Sequence, residues 1–182
     1  MYQKILNEAL KELRETEFKE LFEEENESID GTQFVDDCIL ETDLELLLPD
    51  DYVNQVSERL ALYQTLDNCK DEEELNTFIK QLEDRFGELP LQAIELCESI
   101  KLRWIAKEIG FEKLVIKGKK MIGYFVYQQD SPYYESPQFT KVLKFVQTNQ
   151  ISCKMNERNQ KLRLIFSNIS SIEKALTSLR LI

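Results

Sequence analysis

Residues 44–90, LELLLPDDYVNQVSERLALYQTLDNCKDEEELNTFIKQLEDRFGELP, join an extended segment to two helices, and the rest of the chain is read outward from them. Pro49 closes an apolar run, because proline has no amide hydrogen to continue a ladder, and Asp50 and Asp51 readily accept from nearby backbone amides. A helix is expected to follow. Asp71 and Glu74 form a D-x-x-E start in which the first carboxylate caps the amide of the third helical residue. Leu75, Phe78, Ile79, Leu82 and Phe86 then recur at helical spacing as one apolar stripe. Gly87 suits the left-handed conformation that ends helices, and Pro90 suits the first turn of the next.

Toward the N-terminus, residues 34–48 mix alternation with acidic interruptions and read as one extended strand with a bend or bulge near Thr42-Asp43. Residues 23–33 are polar, with Gly31 as a breaker, and read as a linker. Residues 2–24 read as a charged helix with Ile5, Leu6, Ala9, Leu10 and Leu13 on one side. That pattern begins without a cap, as a helix leaving an earlier domain would, although Met1 is also compatible with a true start.

Toward the C-terminus, helices are expected over 53–68, 72–86 and 90–109. The last has the widest apolar face and is the expected central packing element, with Gly110 as its stop. Beyond it the period changes from 3.6 to 2. Residues 114–117 and 121–127 flank Gly118-Lys119-Lys120 as a hairpin, and Ser136-Pro137 starts a helix. A second hairpin follows, with Ile151, Cys153 and Met155 in one strand and Leu162, Leu164 and Phe166 in the next. Ser170 with Glu173 is the expected cap of a final helix. The expected fold class is α+β: a helical N-terminal half, then two hairpin-plus-helix units forming an antiparallel sheet with helices on one face. The expected division is a leader helix and linker over 1–33 and an α+β domain over 34–182, built on one main core.

The formal net charge of -11 is unevenly placed: residues 1–45 hold 4 Lys/Arg against 15 Asp/Glu, and the remaining charges cancel. An acidic leader on a neutral domain argues against a broad nucleic-acid surface and for solubility or a basic partner. The four cysteines lie far apart with no C-x-x-C pair, and no histidine is present to complete a zinc set, so reduced, buried thiols are expected. No basic region precedes an apolar run at the N-terminus, and no apolar stretch approaches the ~20 residues of a membrane span. A cytoplasmic location is the expectation, with no membrane partner.

Catalytic patterns are missing as well. Without histidine there is no histidine base or Ser-His-Asp set, and neither a G-x-x-x-x-G-K-[ST] phosphate loop nor a G-x-G-x-x-G turn occurs. Asp36-Asp37 and Asp50-Asp51 are adjacent pairs whose members point to opposite faces of an extended chain, a poor start for a metal-dependent hydrolase. Lys117, Lys119 and Lys120 place three charges at a hairpin tip, with Tyr124, Tyr127, Tyr133 and Tyr134 after them. A nucleic-acid-binding hairpin and a solvated turn with core-facing tyrosines both account for these residues. In Asp84-Arg85-Phe86-Gly87 the arginine is favoured by the helix dipole, whereas Asp84 lies close to unsatisfied carbonyls and would gain from a partner's cation.

LLLPDDYV at 46–53, Arg59-Leu60 with Tyr63, E-E-L at 73–75 and LEDRFGELP at 82–90 resemble the C-terminal domain of the bacterial transcription-repair coupling factor, also called Mfd. YQKILNEALKEL at 2–13 resembles the helix leaving that family's second motor lobe. The resemblance covers about 44–109, and from 111 onward it lies in element order. It implies a part of an ATP-driven double-stranded DNA translocase that displaces stalled RNA polymerase and recruits UvrA. ATP and Mg would belong to motor lobes that precede this segment, leaving this domain without cofactor, metal or catalytic residue. The resemblance further implies that the domain packs on the UvrA-binding module of the same chain, masks it and restrains the motor. Gln81, Asp84, Arg85, Phe86 and Gly87 would then lie at the interdomain interface, with Asp84 facing basic residues. Gln81 stands where the family often has glutamate, which removes one expected charge. The alternative implied by the residues themselves is an accessory nucleic-acid-binding domain using the 117–120 hairpin.

Overall fold

The computed structural model describes residues 34–128, 130–158 and 160–182. The expected leader helix and linker lie outside them. The chain enters through strand β1, Ile39–Thr42, and then forms helices α1, Val56–Asp67, α2, Glu72–Phe86, and α3, Leu91–Ile109. Strands β2, Phe111–Lys117, and β3, Lys120–Phe125, precede a 3-10 turn, Pro132–Glu135, and helix α4, Pro137–Thr148. Strands β4, Cys153–Arg158, and β5, Lys161–Ser167, precede helix α5, Ile172–Leu179. The fold is α+β.

The sheet order is β1-β2-β3-β5-β4. Within each hairpin and between β3 and β5 the pairing is antiparallel, so the second strands of the two hairpins meet at the centre. β1 adds to the edge in parallel with β2, Ile39 opposite Lys113 and Thr42 opposite Ile116. The extended segment is therefore shorter than its alternation implies. Leu44 N–H donates to Thr42 Oγ1 at 3.0 Å, and this local bond turns the chain out of the sheet instead of bulging within it.

Local signals set the helix ends. Asp71 accepts from the Glu74 amide at 2.9 Å, and Glu74 reaches back to the Lys70 amide at 2.9 Å. Pro90 caps α3 from outside the helix, one position before the expected first turn, and its carbonyl accepts from Ala93 and Ile94. The cap of α5 is Ser171 and not Ser170: Ser171 accepts from the Lys174 amide, while Ser170 Oγ takes a bond from Lys174 Nζ. The two serines are chemically equivalent, so only the register of Ile172, Ala175 and Leu176 against the sheet selects between them.

Buried side chains form two clusters instead of one core. Leu48, Val53, Leu62, Leu66, Leu75, Phe78 and Leu82 pack with the first half of α3 at Ala93, Cys97 and Ile100. Leu102, Ala106 and Ile109 in its second half pack under the sheet with Phe111, Leu114, Ile116, Leu164 and the residues of α5. α3 is thus the shared element, one helix that changes partners along its length. At its end Gly110 is left-handed, and a Cβ there would stand 2.3 Å from the buried Tyr133 ring. Tyr133 O–H donates to the Ile109 carbonyl, tying the 3-10 turn to the helix C-terminus.

Candidate functional site

The resemblance placed five site residues at the end of α2, and the structure brings all of them together on one corner of the helical half. Leu75, Phe78 and Leu82 fix the rotation of α2 by inserting into the helical cluster. Gln81 and Asp84 consequently point outward and are exposed, one turn apart. Among the described residues no cation lies within ion-pair distance of Asp84. The charge sits in the last turn of a helix, where the backbone carbonyls disfavour it.

Its neighbours are locked. Phe86 is half-buried and packs against Tyr52, with ring centroids 5.7 Å apart. Tyr52 O–H donates to the Gly87 carbonyl at 2.8 Å, with the Leu82 carbonyl a more distant second acceptor at 3.3 Å, tying the turn after α2 to the chain before α1. Burial raises the Tyr52 phenol above its ordinary range, with Glu83 adding to the effect, so it stays protonated and keeps donating. Arg85 pairs with Glu58 of α1 and lies over the Phe86 ring at 4.9 Å, which leaves it less available than a free arginine. Gly87 has φ 86° and ψ -165°, an extended left-handed region open essentially to glycine alone. This corrects the left-handed helical cap expected there.

LLLPDDYV is the support of this corner. The Tyr63 hydroxyl oxygen accepts from the Leu48 amide at 2.8 Å, and Arg59 donates to the Val53 carbonyl at 2.6 Å while pairing with Asp50 at 2.9 Å. The residues missed by sequence reasoning are Tyr52 and Glu58. Both lie in or beside the quoted motifs, but their partners are 27 to 35 positions away.

The other candidates separate. Asp37 is held by Arg103 at 2.9 and 3.0 Å, and Arg103 also reaches Asp67 at 2.7 Å, so these acids serve an ion pair joining β1's approach to α1 and α3. Among the described residues no group of three or more His, Cys, Asp or Glu could hold a metal, and no helix is long and apolar enough to cross a membrane. The four cysteines are free and buried; burial pushes Cys38 and Cys97 up to about 12. Gly118 and Lys119 form the first hairpin turn with φ 58° and 60°, leaving Lys117 and Lys120 as cross-strand partners on the sheet. Tyr133 is buried in the core, Tyr134 is half-buried, and Tyr127 is exposed.

The family model described as TRCF domain matches residues 42–136. Over 117 residues the chain is 28% identical to the transcription-repair-coupling factor of Rickettsia conorii, covering 64% of this chain and 10% of that protein. Over 78 residues it is 40% identical to the transcription-repair-coupling factor of Escherichia coli K12, covering 41% of this chain and 7% of that protein. The chain therefore spans a tenth or less of the length of these relatives. The crystal structure of a C-terminal domain of transcription-repair coupling factor superposes with a TM-score of 0.60 at 15% identity, covering 79% of this chain and 93% of that one, a likeness of fold. With the α2 corner, the mixed sheet and a family match over more than half its length, this chain belongs to the TRCF domain family.

Proposed function

We propose that this chain is a regulatory interdomain module of a cytoplasmic transcription-coupled repair translocase, with no catalytic residue of its own. It packs on the UvrA-binding module of the same protein, covers the UvrA surface and restrains the ATP-driven motor until stalled RNA polymerase and double-stranded DNA are engaged. ATP and Mg act in the motor lobes. Asp84 is the observation that carries this reading. It is exposed, lacks a cation among the described residues and stands where its own helix disfavours it, beside a corner that Tyr52, Phe86 and the Arg85–Glu58 pair hold rigid. A basic partner removes that conflict.

An exposed ion pair contributes only about 0.2 to 1 kcal/mol, so Asp84 orients a larger contact and does not supply its affinity. Masking is then an interdomain equilibrium, and the open form gains population when other partners bind it better. In the full-length parent, Asp84→Arg places like charges across the contact and should raise UvrA capture by about fivefold or more, the low end of ordinary coupling energies. Capture equal to that of the unmodified protein, with the variant folded, overturns the masking role.

A further inference from the structure

The charge that cancels along residues 46–182 does not cancel in space. Residues 46–110 hold 7 Lys/Arg and 14 Asp/Glu, whereas residues 111–182 hold 12 Lys/Arg and 5 Asp/Glu. Strand register collects much of this excess on one surface. Helices α3, α4 and α5 pack on the face of the sheet that carries Phe111, Leu114, Met121, Leu164 and Phe166, and among the described residues no helix covers the other face.

On that open face the cross-strand rows run Lys113, Tyr124, Arg163, Asn156, then Val115, Ile122, Ile165, Lys154, then Lys117, Lys120, Ser167. Arg158 and Lys161 pair at one end, and Lys119 stands at the tip of the first hairpin. The strand carboxylate on this side is Glu41, which Lys113 engages at 2.6 Å. The other seven cations have no carboxylate within ion-pair distance among the described residues. Lys161 also lies 5.0 Å from the centre of the exposed Tyr127 ring.

We propose that this open sheet face binds single-stranded nucleic acid, with Tyr124 as a stacking platform and Lys117, Lys120, Lys154, Arg158 and Arg163 on the phosphates. An open sheet face with a tyrosine between two cationic positions and a branched aliphatic row beside it matches both surfaces that an unpaired strand presents, base faces and backbone charge. A duplex hides its base faces and gains only the electrostatic part. An acidic peptide gains the charge without the ring. The surface is distinct from the Asp84 corner, so the two readings stand or fall separately.

The test is fluorescence anisotropy of a labelled oligothymidylate of about 15 nucleotides with the whole 182-residue chain, from about 25 to 150 mM salt. Saturable binding is expected, with log K falling linearly with log salt at about 0.7 per phosphate neutralised. Lys120→Glu with Lys154→Glu should weaken it by about tenfold or more, and Tyr124→Leu, which keeps the apolar packing, by about fivefold or more. Off the face, Lys141→Glu with Lys174→Glu should change it less than twofold, and Asp84→Arg should not weaken it. No binding at the lowest salt overturns the proposal, as does equal loss from the on-face and off-face reversals. Polyglutamate or duplex binding as tight as the oligothymidylate, with Tyr124→Leu inert, would reassign the face to acidic proteins or to duplex backbone.

Discussion

The helical half and the sheet half of the described chain share α3 but spend their charges differently. In the helical half Arg59, Arg85, Lys101 and Arg103 are each bound to at least one carboxylate, and the exposed Asp84 has no cation within ion-pair distance among the described residues. In the sheet half Lys113 of the open face is paired with a carboxylate, Arg163 donates to Asn156 at 2.6 Å, and the other cations of that face have no carboxylate within ion-pair distance among the described residues. Unpaired charge alone does not separate the halves, since Lys141 and Lys174 also lack a carboxylate among the described residues; what separates them is sign and clustering, an exposed carboxylate at the end of α2 against a set of cations that strand register gathers on one sheet face.

Glycine substitutions break this comparison hardest. Gly110→Ala would put a methyl group 2.3 Å from the Tyr133 ring in a left-handed backbone, and a loss of about 3 kcal/mol or more is expected by chemical denaturation. Gly87→Ala meets nothing within 4 Å and should cost about 1 to 3 kcal/mol through backbone strain alone. Equal losses would mean that the sheet half is not the tighter joint.

How far the sequence carried is visible in the same elements. The ends of α2 and α3 were readable because caps and glycines act within four residues. The α2 stripe was readable because its spacing is local. The parallel pairing of β1, the division into two clusters and the open basic face were not, since each depends on strand register between distant residues. Counting lysines along the chain finds three at the first hairpin; Lys154, Arg158, Lys161 and Arg163 join them only when β5 pairs with β3. The choice of Ser171 over Ser170 was lost for a similar reason.

Smaller effects sharpen the contrast. Cys38 and Cys97 sit at about 12 when folded against an ordinary value of 9.0, so the native state holds their protons more tightly. Their contribution is complete below pH 9.0 and is lost as pH rises toward about 12, so melting temperature should fall over that window, and Cys38→Ala with Cys97→Ala should flatten the fall. A slope unchanged in the double variant would contradict the burial of these thiols. Tyr52→Phe removes the hydroxyl shared between the Gly87 and Leu82 carbonyls and should cost about 1 kcal/mol by denaturant titration. Glu58→Gln removes the half-buried partner of the exposed Arg85 and should cost less than about 1 kcal/mol, the smallest change of the set.

The most direct test of the proposed role is calorimetric titration of this chain with the UvrA-binding module that the proposal assigns as its partner, with Asp84→Arg in parallel and a tethered version of both. Tethering supplies an effective concentration of about millimolar, so even a weak contact registers there. Saturable contact that Asp84→Arg weakens by about tenfold, while Lys120→Glu with Lys154→Glu leaves it unchanged, is the predicted result. Contact that survives Asp84→Arg intact, or no contact even when tethered, would contradict it.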